Sequence, residues 1–332
     1  MARPARRVMA GPPAESTGSS TWEHVKRIAA WVFFAAVLAL IWRQARNVDW
    51  WNVLASVRAI PLPMVLAAGV LACCSHLLYS SYDLLGRRMT HHTLGTLPVM
   101  GVTFISYAFN LNFGSLIGGV AFRYRLYSRL GLGPNTITRV LGFSMLTNWF
   151  GYFMVAGAAF CFAPMTLPPT WRIDSGGLRV LGAALMLAGF AYLALCAVAR
   201  EHTWNIRGHE LDTPPLRIAL LQLVMSCANW SLIGGILWFL LQWQVEYPTV
   251  LSVLLVAAVA GVITHVPGGL GVLEAVFLAL LSHRLPEPQL LGAILAYRAL
   301  YYLLPLAVAL VFYAVAEVHA RRLRKMLSAA SG

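Results

Sequence analysis

Apolar residues run along this chain in long blocks. Six of them, at 25–42, 62–82, 140–163, 178–199, 217–241 and 290–316, are long enough as helices to cross about 30 Å of hydrocarbon. Two further apolar stretches are interrupted. Residues 97–123 contain Asn110, Asn112, Gly114, Gly118 and Gly119. Residues 250–284 contain the run His265-Val266-Pro267-Gly268-Gly269-Leu270-Gly271. Proline and clustered glycines break a helix. Irregular backbone at membrane depth survives only where it is buried in protein or lines a cavity. Each interrupted stretch therefore reads as a pair of half-helices.

Basic residues in the loops give these segments a direction. Arg3, Arg6, Arg7, Lys26 and Arg27 precede the first block. Arg87 and Arg88 follow the second, and Arg123, Arg125, Arg129 and Arg139 follow the first interrupted stretch. Arg200, Arg207 and Arg217 lie in a mixed loop, and Arg321, Arg322, Arg324 and Lys325 end the chain. All of these are expected inside, with both termini cytoplasmic. The loops at 43–61, 164–177, 242–249 and 284–289 are expected outside, with Trp42, Trp50, Trp51, Trp171 and Trp243 near them as an aromatic belt. Both flanks of 97–123 are then inside and both flanks of 250–284 outside, so each stretch is expected to be a re-entrant hairpin. An offset of about 150 residues carries Gly118–Gly119 onto Gly268–Gly269 and Asn148 onto Arg298. The expected fold is an all-α polytopic membrane protein. It has six full transmembrane helices and two re-entrant hairpins, arranged as an inverted repeat.

Composition narrows the class further. Of 332 residues, 59% are hydrophobic and 11% charged. Soluble domains carry about 25% charged residues. With a mean hydropathy of +0.69, an ordinary soluble enzyme is excluded. The formal charge of +13 is placed by the loop rule rather than by nucleic acid, for which no long soluble basic segment exists. Residues 1–24 read as a disordered tail, 25–318 as one transmembrane domain with inverted halves at about 25–166 and 178–318, and 319–332 as a basic tail. The first block is followed by Arg43-Gln44-Ala45-Arg46 and not by a small-residue cleavage site, so it reads as a helix and not a signal peptide. Cys73, Cys74, Cys161, Cys196 and Cys227 all lie in apolar stretches and read as small residues of helix interfaces.

Ionisable groups within such segments are costly and usually functional. Arg298 lies about 12 Å into the last block, with Tyr297, Tyr301 and Tyr302 beside it. Glu274 follows the Pro-Gly-Gly break at the start of a half-helix. It reads either as a helix-terminus charge or as the partner of Arg298. The N–H groups of Gly268, Gly269 and Gly271 read either as a plain turn or as an anion site onto which an arginine could fork. Arg123 reads as its cytoplasmic counterpart or as an anchor. Asp83 is expected to pair with Arg87 and Arg88 at the interface. His76, Asn148, Asn229 and His265 are expected at mid-depth, as hydrogen-bonding glue or as a proton relay. No metal-ligand spacing is present, and no GxxxxGK[ST], GxSxG or HExxH motif occurs. No cofactor and no enzymatic activity are expected.

Several motifs resemble a known family. They are Tyr82 to Arg88 (YDLLGRR), Tyr107 to Asn112 (YAFNLN), Arg123 to Leu132 (RYRLYSRLGL), Thr147-Asn148-Trp149, Ala260 to Leu281 (AGVITHVPGGLGVLEAVFLALL) and Leu295 to Pro305 (LAYRALYYLLP). Over residues 25–320 the chain is similar to YbhN-like bacterial inner-membrane proteins. These in turn resemble the transmembrane flippase region of lysylphosphatidylglycerol synthases, the MprF proteins. The resemblance implies the transport half without a synthase domain, in the bacterial inner membrane. It maps a Gly-rich re-entrant motif followed by Glu onto Pro267 to Glu274, and a basic residue onto Arg123.

The expected function is translocation of a phospholipid headgroup through a polar groove. Substrate-binding candidates are Arg298, Glu274, Arg123, Gly268, Gly269, Gly271, Tyr301, Asn148, Asn112 and His265. Candidate lipids are phosphatidylglycerol, phosphatidylethanolamine and cardiolipin. A second copy of the chain and a lipid-processing enzyme are candidate protein partners. The alternatives are a secondary carrier of a small anionic solute and a non-transporting scaffold for lipid-processing enzymes.

Overall fold

Proline and aspartate set several of the helix starts. Proline stands in the first turn, where its missing N–H costs nothing, of α2 (Leu62–Ser80), α6 (Pro134–Phe162), α9 (Tyr247–Thr264) and α11 (Glu287–Tyr297). Asp49 caps α1 (Trp50–Arg58) through the Asn52 amide, and Asp174 caps α7 (Ser175–Val198) through that of Gly177. The other helices are α3 (Tyr82–Thr90), α4 (Thr96–Phe113), α5 (Phe122–Arg129), α8 (Leu216–Leu240) and α10 (Val272–Leu281). π-helical segments occupy Ser115–Ala121 and Arg298–Leu303. The computed structural model describes residues 49–163, 167, 174–199, 203–206, 209–315 and 317. The expected helix at 25–42 and both tails lie outside them.

Among the described residues, six helical stretches are long and apolar enough to cross a membrane: Leu62–Thr90, Pro134–Phe162, Ser175–Val198, Leu216–Leu240, Tyr247–Thr264 and Glu287–Val315. Five of these match expected spans. Tyr247–Thr264 belongs instead to the second interrupted stretch, whose first piece is full-length and not a half-helix. The fold is all-helical in class, with one short addition. Thr203–Ile206 and His209–Asp212 pair as an antiparallel hairpin, β1 and β2, with Thr203 opposite Asp212. A two-residue connection suits such a hairpin.

Small residues let the long helices approach. A Cβ on Gly151 of α6 would overlap Ser226 of α8. A Cβ on Gly157 of α6 would lie 2.9 Å from the Gly182 carbonyl oxygen of α7. Without a hydrophobic force between helices in lipid, such close contacts carry the packing. Cys73 and Cys74 do not join it. Both sit on the exposed face of α2.

The two interrupted stretches fold back on themselves. In a continued helix Gly118 would lie about 12 Å beyond Asn110. Instead, a Cβ on Gly118 would overlap the backbone of Phe109 and Asn110. His92, before α4, packs 6.5 Å from the ring of Tyr127 in α5, so this stretch leaves and returns to one end. Glu246 and Arg284 pair at 2.7 Å and close the second stretch in the same way. A hydrogen bond to its own backbone and then Arg284 hold the exposed Glu246 carboxyl below its usual range.

The last helix shows that these ends are opposite. Arg284 stands just before Glu287–Val315, whereas Arg129 at the end of α5 pairs with Glu317 just beyond it. That helix is about 42 Å long. The two stretches therefore close near opposite ends of that helix, and their breaks meet. A Cβ on Gly268 would lie 3.1 Å from the Asn112 carbonyl oxygen.

This backbone contact makes Gly118 a sensitive position. Gly118→Ala is expected to destabilise the protein by about 1–3 kcal/mol, the usual cost of overpacking. Gly101→Ala, where the new methyl meets nothing within 4 Å, is expected to be neutral or slightly stabilising. Thermal unfolding in detergent, followed by size-exclusion chromatography, separates the two. Equal midpoints would contradict the folded-back geometry.

Candidate functional site

The second break is built from left-handed backbone. His265 ends α9 at φ +54°, and Gly268, Gly269 and Gly271 follow with positive φ. The glycines adopt this conformation without a Cβ penalty. The turn presents two carbonyls inward. Arg298 donates from Nη1 to Gly268 O (3.0 Å) and from Nη2 to Gly269 O (2.9 Å). Glu274, in the first turn of α10, accepts from Arg298 Nε at 2.6 Å and from Nη2 at 3.0 Å. Four of the five guanidinium N–H groups are thus occupied. The face of Tyr302 lies 5.4 Å from the charge. Arg298 is 9% exposed, and its depth is greater than the sequence implies because its helix begins three residues earlier, at Glu287.

Arg298 also opens a π-helical segment. The i→i+5 spacing disturbs the regular pairing of carbonyls, and such bulges are frequent at functional sites. Two carbonyls of this segment take side-chain donors. His76 Nε2 meets Tyr301 O at 3.1 Å, and Asn112 Nδ2 donates to Tyr302 O at 3.2 Å. A carbonyl only accepts, so His76 carries its proton on Nε2 there. The Tyr301 side chain continues the network. Its hydroxyl lies 2.8 Å from Ser75 Oγ and 2.9 Å from the Tyr107 hydroxyl, and Ser75 donates to Asn229 Oδ1 at 2.7 Å.

Where the two breaks meet, a cavity of about 190 Å³ remains. Gly268 and Gly269 border it from the turn, Tyr297, Tyr301 and Tyr302 from the last helix, and Tyr107 and Trp230 from α4 and α8. The rest of the wall is the apolar face of α9, from Leu254 to Val262, together with Leu111, Ile233 and Leu273. Val262 is 51% exposed, so the cavity borders the outer surface of the bundle there. Small-molecule sites usually measure about 300–1,000 Å³. This one has room for a small polar group and not for a whole lipid.

A second ion pair lies in the first half. Arg123 donates from Nε to Asp83 Oδ2 at 3.1 Å and from Nη2 to Oδ1 at 3.3 Å, and Tyr127 adds a hydroxyl to Oδ2 at 2.8 Å. Asp83 is fully buried and Arg123 is 2% exposed. This corrects the interfacial pairing expected for Asp83. Arg87 turns instead to the Leu94 carbonyl and Thr96. The tertiary fold brings α5 back against α3, and a buried carboxylate takes the desolvated cation in preference to surface arginines.

The structure therefore gathers Arg298, Glu274, Gly268 and Gly269, with Asn112 and Tyr301 joined to them through the π-helical segment. Gly271 caps α10 in the same turn. Arg123 belongs to the other cluster. His265 is exposed, its Nδ1 beside the Ile263 carbonyl. Asn148 contributes its backbone carbonyl, which accepts from Ser226 and Trp230. Glu274 itself supplies the carboxylate at the start of α10, so a phosphate forked by Arg298 there would have to displace it. Sequence reading missed Ser75, Tyr107 and Trp230. Ser75 carries no charge to flag it, and Tyr107 and Trp230 look like core aromatics. Gln222, which bridges Thr147 and Tyr192, was findable as a polar group in an apolar run.

A helical bundle of membrane-crossing length with a polar centre defines a polytopic membrane protein. The chain belongs to the family of the lysylphosphatidylglycerol synthase transmembrane region, whose model matches residues 28–309. It is 44% identical to the inner membrane protein YbhN of Escherichia coli over 310 residues, covering 93% of this chain and 98% of that one. It is 31% identical to protein slr0712 of Synechocystis over 300 residues, or 86% and 91% of the two chains. A phosphatidylglycerol lysyltransferase of Staphylococcus haemolyticus is 21% identical over 86% of this chain, which spans 33% of that longer protein.

Removing one partner of a buried pair leaves an uncompensated charge and costs about 3–5 kcal/mol. Arg123→Met is therefore expected to unfold the protein at clearly lower temperature. Arg123→Met with Asp83→Leu is expected to recover most of the loss. A thermal melt in detergent reads both. A double variant as unstable as the single one would mean that the pair is not the cause.

Proposed function

We propose that this protein translocates phospholipid headgroups across the inner membrane. The observation that carries the reading is the meeting of two folded-back stretches at a small aromatic cavity beside the Arg298–Glu274 pair. We read those stretches as re-entrant hairpins of an inverted repeat, because such repeats place their site where interrupted segments meet near the midplane. Membership of a family named for lysylphosphatidylglycerol synthase supports a role in lipid handling.

A headgroup phosphate left bare in hydrocarbon faces a penalty of tens of kcal/mol in the idealised limit. A polar cavity that borders the outer surface of the bundle lowers that barrier while the tails stay in lipid. The chemistry of the walls favours an amine-bearing headgroup. Tyr297, Tyr302 and Trp230 offer electron-rich aromatic faces, which attract ammonium groups. Arg298 is already neutralised by Glu274, so its charge is not free for phosphate. Among the candidate lipids this selects phosphatidylethanolamine over phosphatidylglycerol and cardiolipin. Glu274 and Arg298 act here by holding the turn that forms the cavity roof.

Reconstitution tests this directly. In proteoliposomes, phosphatidylethanolamine labelled on an acyl chain, so that its ammonium stays free, is expected to reach an impermeant quencher at least tenfold faster than in empty vesicles. Ala258→Phe, which fills the cavity from α9, is expected to abolish most of that gain without unfolding the protein. Rates equal to empty vesicles for all three lipids would end the assignment. That outcome, with a carrier activity for a small anion, would favour a solute transporter.

A further inference from the structure

The cavity brings no charge of its own to an occupant. Its walls are tyrosines, a tryptophan, aliphatic side chains and the two turn glycines. Among the described residues, none that lines it is acidic or basic. The charges behind the turn cancel. Arg298 holds the carbonyls of Gly268 and Gly269, and Glu274 meets the same guanidinium at 2.6 Å and 3.0 Å. The other deep pair, Arg123 with Asp83, also sums to zero. A headgroup in the cavity therefore meets no fixed charge that would balance a net charge of its own.

We propose that this neutrality selects headgroups of zero net charge, so that translocation carries no net charge across the membrane. The chemical class is a zwitterion, whose ammonium and phosphate compensate each other. The proposal rests on the reading of the cavity as a headgroup site and deepens it. A net charge taken out of water without a counter-charge is heavily penalised. A zwitterion carries its counter-charge with it, a few bonds away, where low dielectric strengthens the attraction. Glu274 and Arg298 line no part of the cavity; they are positioning residues that fix its turn and keep its surroundings neutral. The consequence is energetic. A membrane potential drives a charged headgroup across the bilayer and exerts no net force on a neutral one.

Binding in detergent reads the charge rule without requiring transport. The probes are dihexanoyl phosphatidylethanolamine, which is net neutral, and dihexanoyl phosphatidylglycerol, which is an anion. Both are followed through tryptophan fluorescence, with Ala258→Phe, whose cavity is filled, as the background. Wild type is expected to bind the ethanolamine lipid about tenfold more tightly. Glu274→Gln leaves the Arg298 charge unbalanced and is expected to reverse the order. Glu274→Gln with Arg298→Gln restores neutrality and is expected to return it. Ala258→Lys brings a positive charge from α9 without touching the pair, and is expected to favour the glycerol lipid as Glu274→Gln does. It decides the matter where the pair variants fail to fold. In proteoliposomes, an imposed potential of about 100 mV would shift a singly charged lipid between leaflets about fiftyfold. It is expected to leave the distribution of acyl-labelled phosphatidylethanolamine unchanged.

Recognition by size or by the ammonium alone would keep the ethanolamine lipid ahead in Glu274→Gln and in Ala258→Lys, and that result would overturn the proposal. So would a wild-type ratio near one, or a potential that redistributes phosphatidylethanolamine. A preference that follows the charge in protein that moves no lipid would uphold this inference and defeat the transport reading. Equal transport of the ethanolamine and glycerol lipids would do the reverse. Binding of neither lipid above the background would defeat both.

Discussion

Arg298 is the group on which the rest of the interior depends. A guanidinium at that depth is tolerable only if its charge and its donors are met. The chain meets them from a single place, the break between α9 and α10. Glu274 gives two carboxylate oxygens, and the glycine turn gives two carbonyls. The dependence runs both ways. A regular helix would have kept those carbonyls for its own ladder. Left-handed glycines release them, and the arginine satisfies them in return. The ion pair thus fixes the turn to the last helix, and the turn forms the roof of the cavity.

From that anchor the order spreads through the π-helical segment. Arg298 begins it, and the carbonyls of Tyr301 and Tyr302 within it bind His76 from α2 and Asn112 from α4. Two elements are tied to one irregular turn by side chains that a straight helix would not have engaged. Polar networks of this kind are demanding, because each member left unpaired in low dielectric is costly. They also specify one arrangement of the helices. In lipid, where apolar packing discriminates weakly, that specificity has to come from hydrogen bonds and from close contacts such as Gly151 against Ser226.

The two ion pairs differ in burial and surroundings. Asp83 and Arg123 are sealed, with Tyr127 and Ser144 completing their shell. They act as a strut that holds the first folded-back stretch against α3 and α6. Arg298 and Glu274 are less deeply enclosed and stand over the cavity, where a change in the turn would be felt by any occupant.

Much of this was written in the sequence. Block length and hydropathy gave five of the six described spans, because a bilayer imposes a length on any helix that crosses it. Pro267 and the glycines gave the second break, because their backbone chemistry is local. The Arg298–Glu274 pairing was legible as one of two readings, since two opposite charges near a break in an apolar chain have few other partners. Tertiary structure alone decided the rest. Asp83 lies four residues from Arg87 but pairs with Arg123, forty residues away. Arg123 itself left the candidate site for that strut, and His265 and the side chain of Asn148 stayed outside it. Ser75, Tyr107 and Trp230 entered it from three helices. Hydrogen bonding among neutral side chains is set by which groups meet across the bundle. No one-dimensional pattern records that contact.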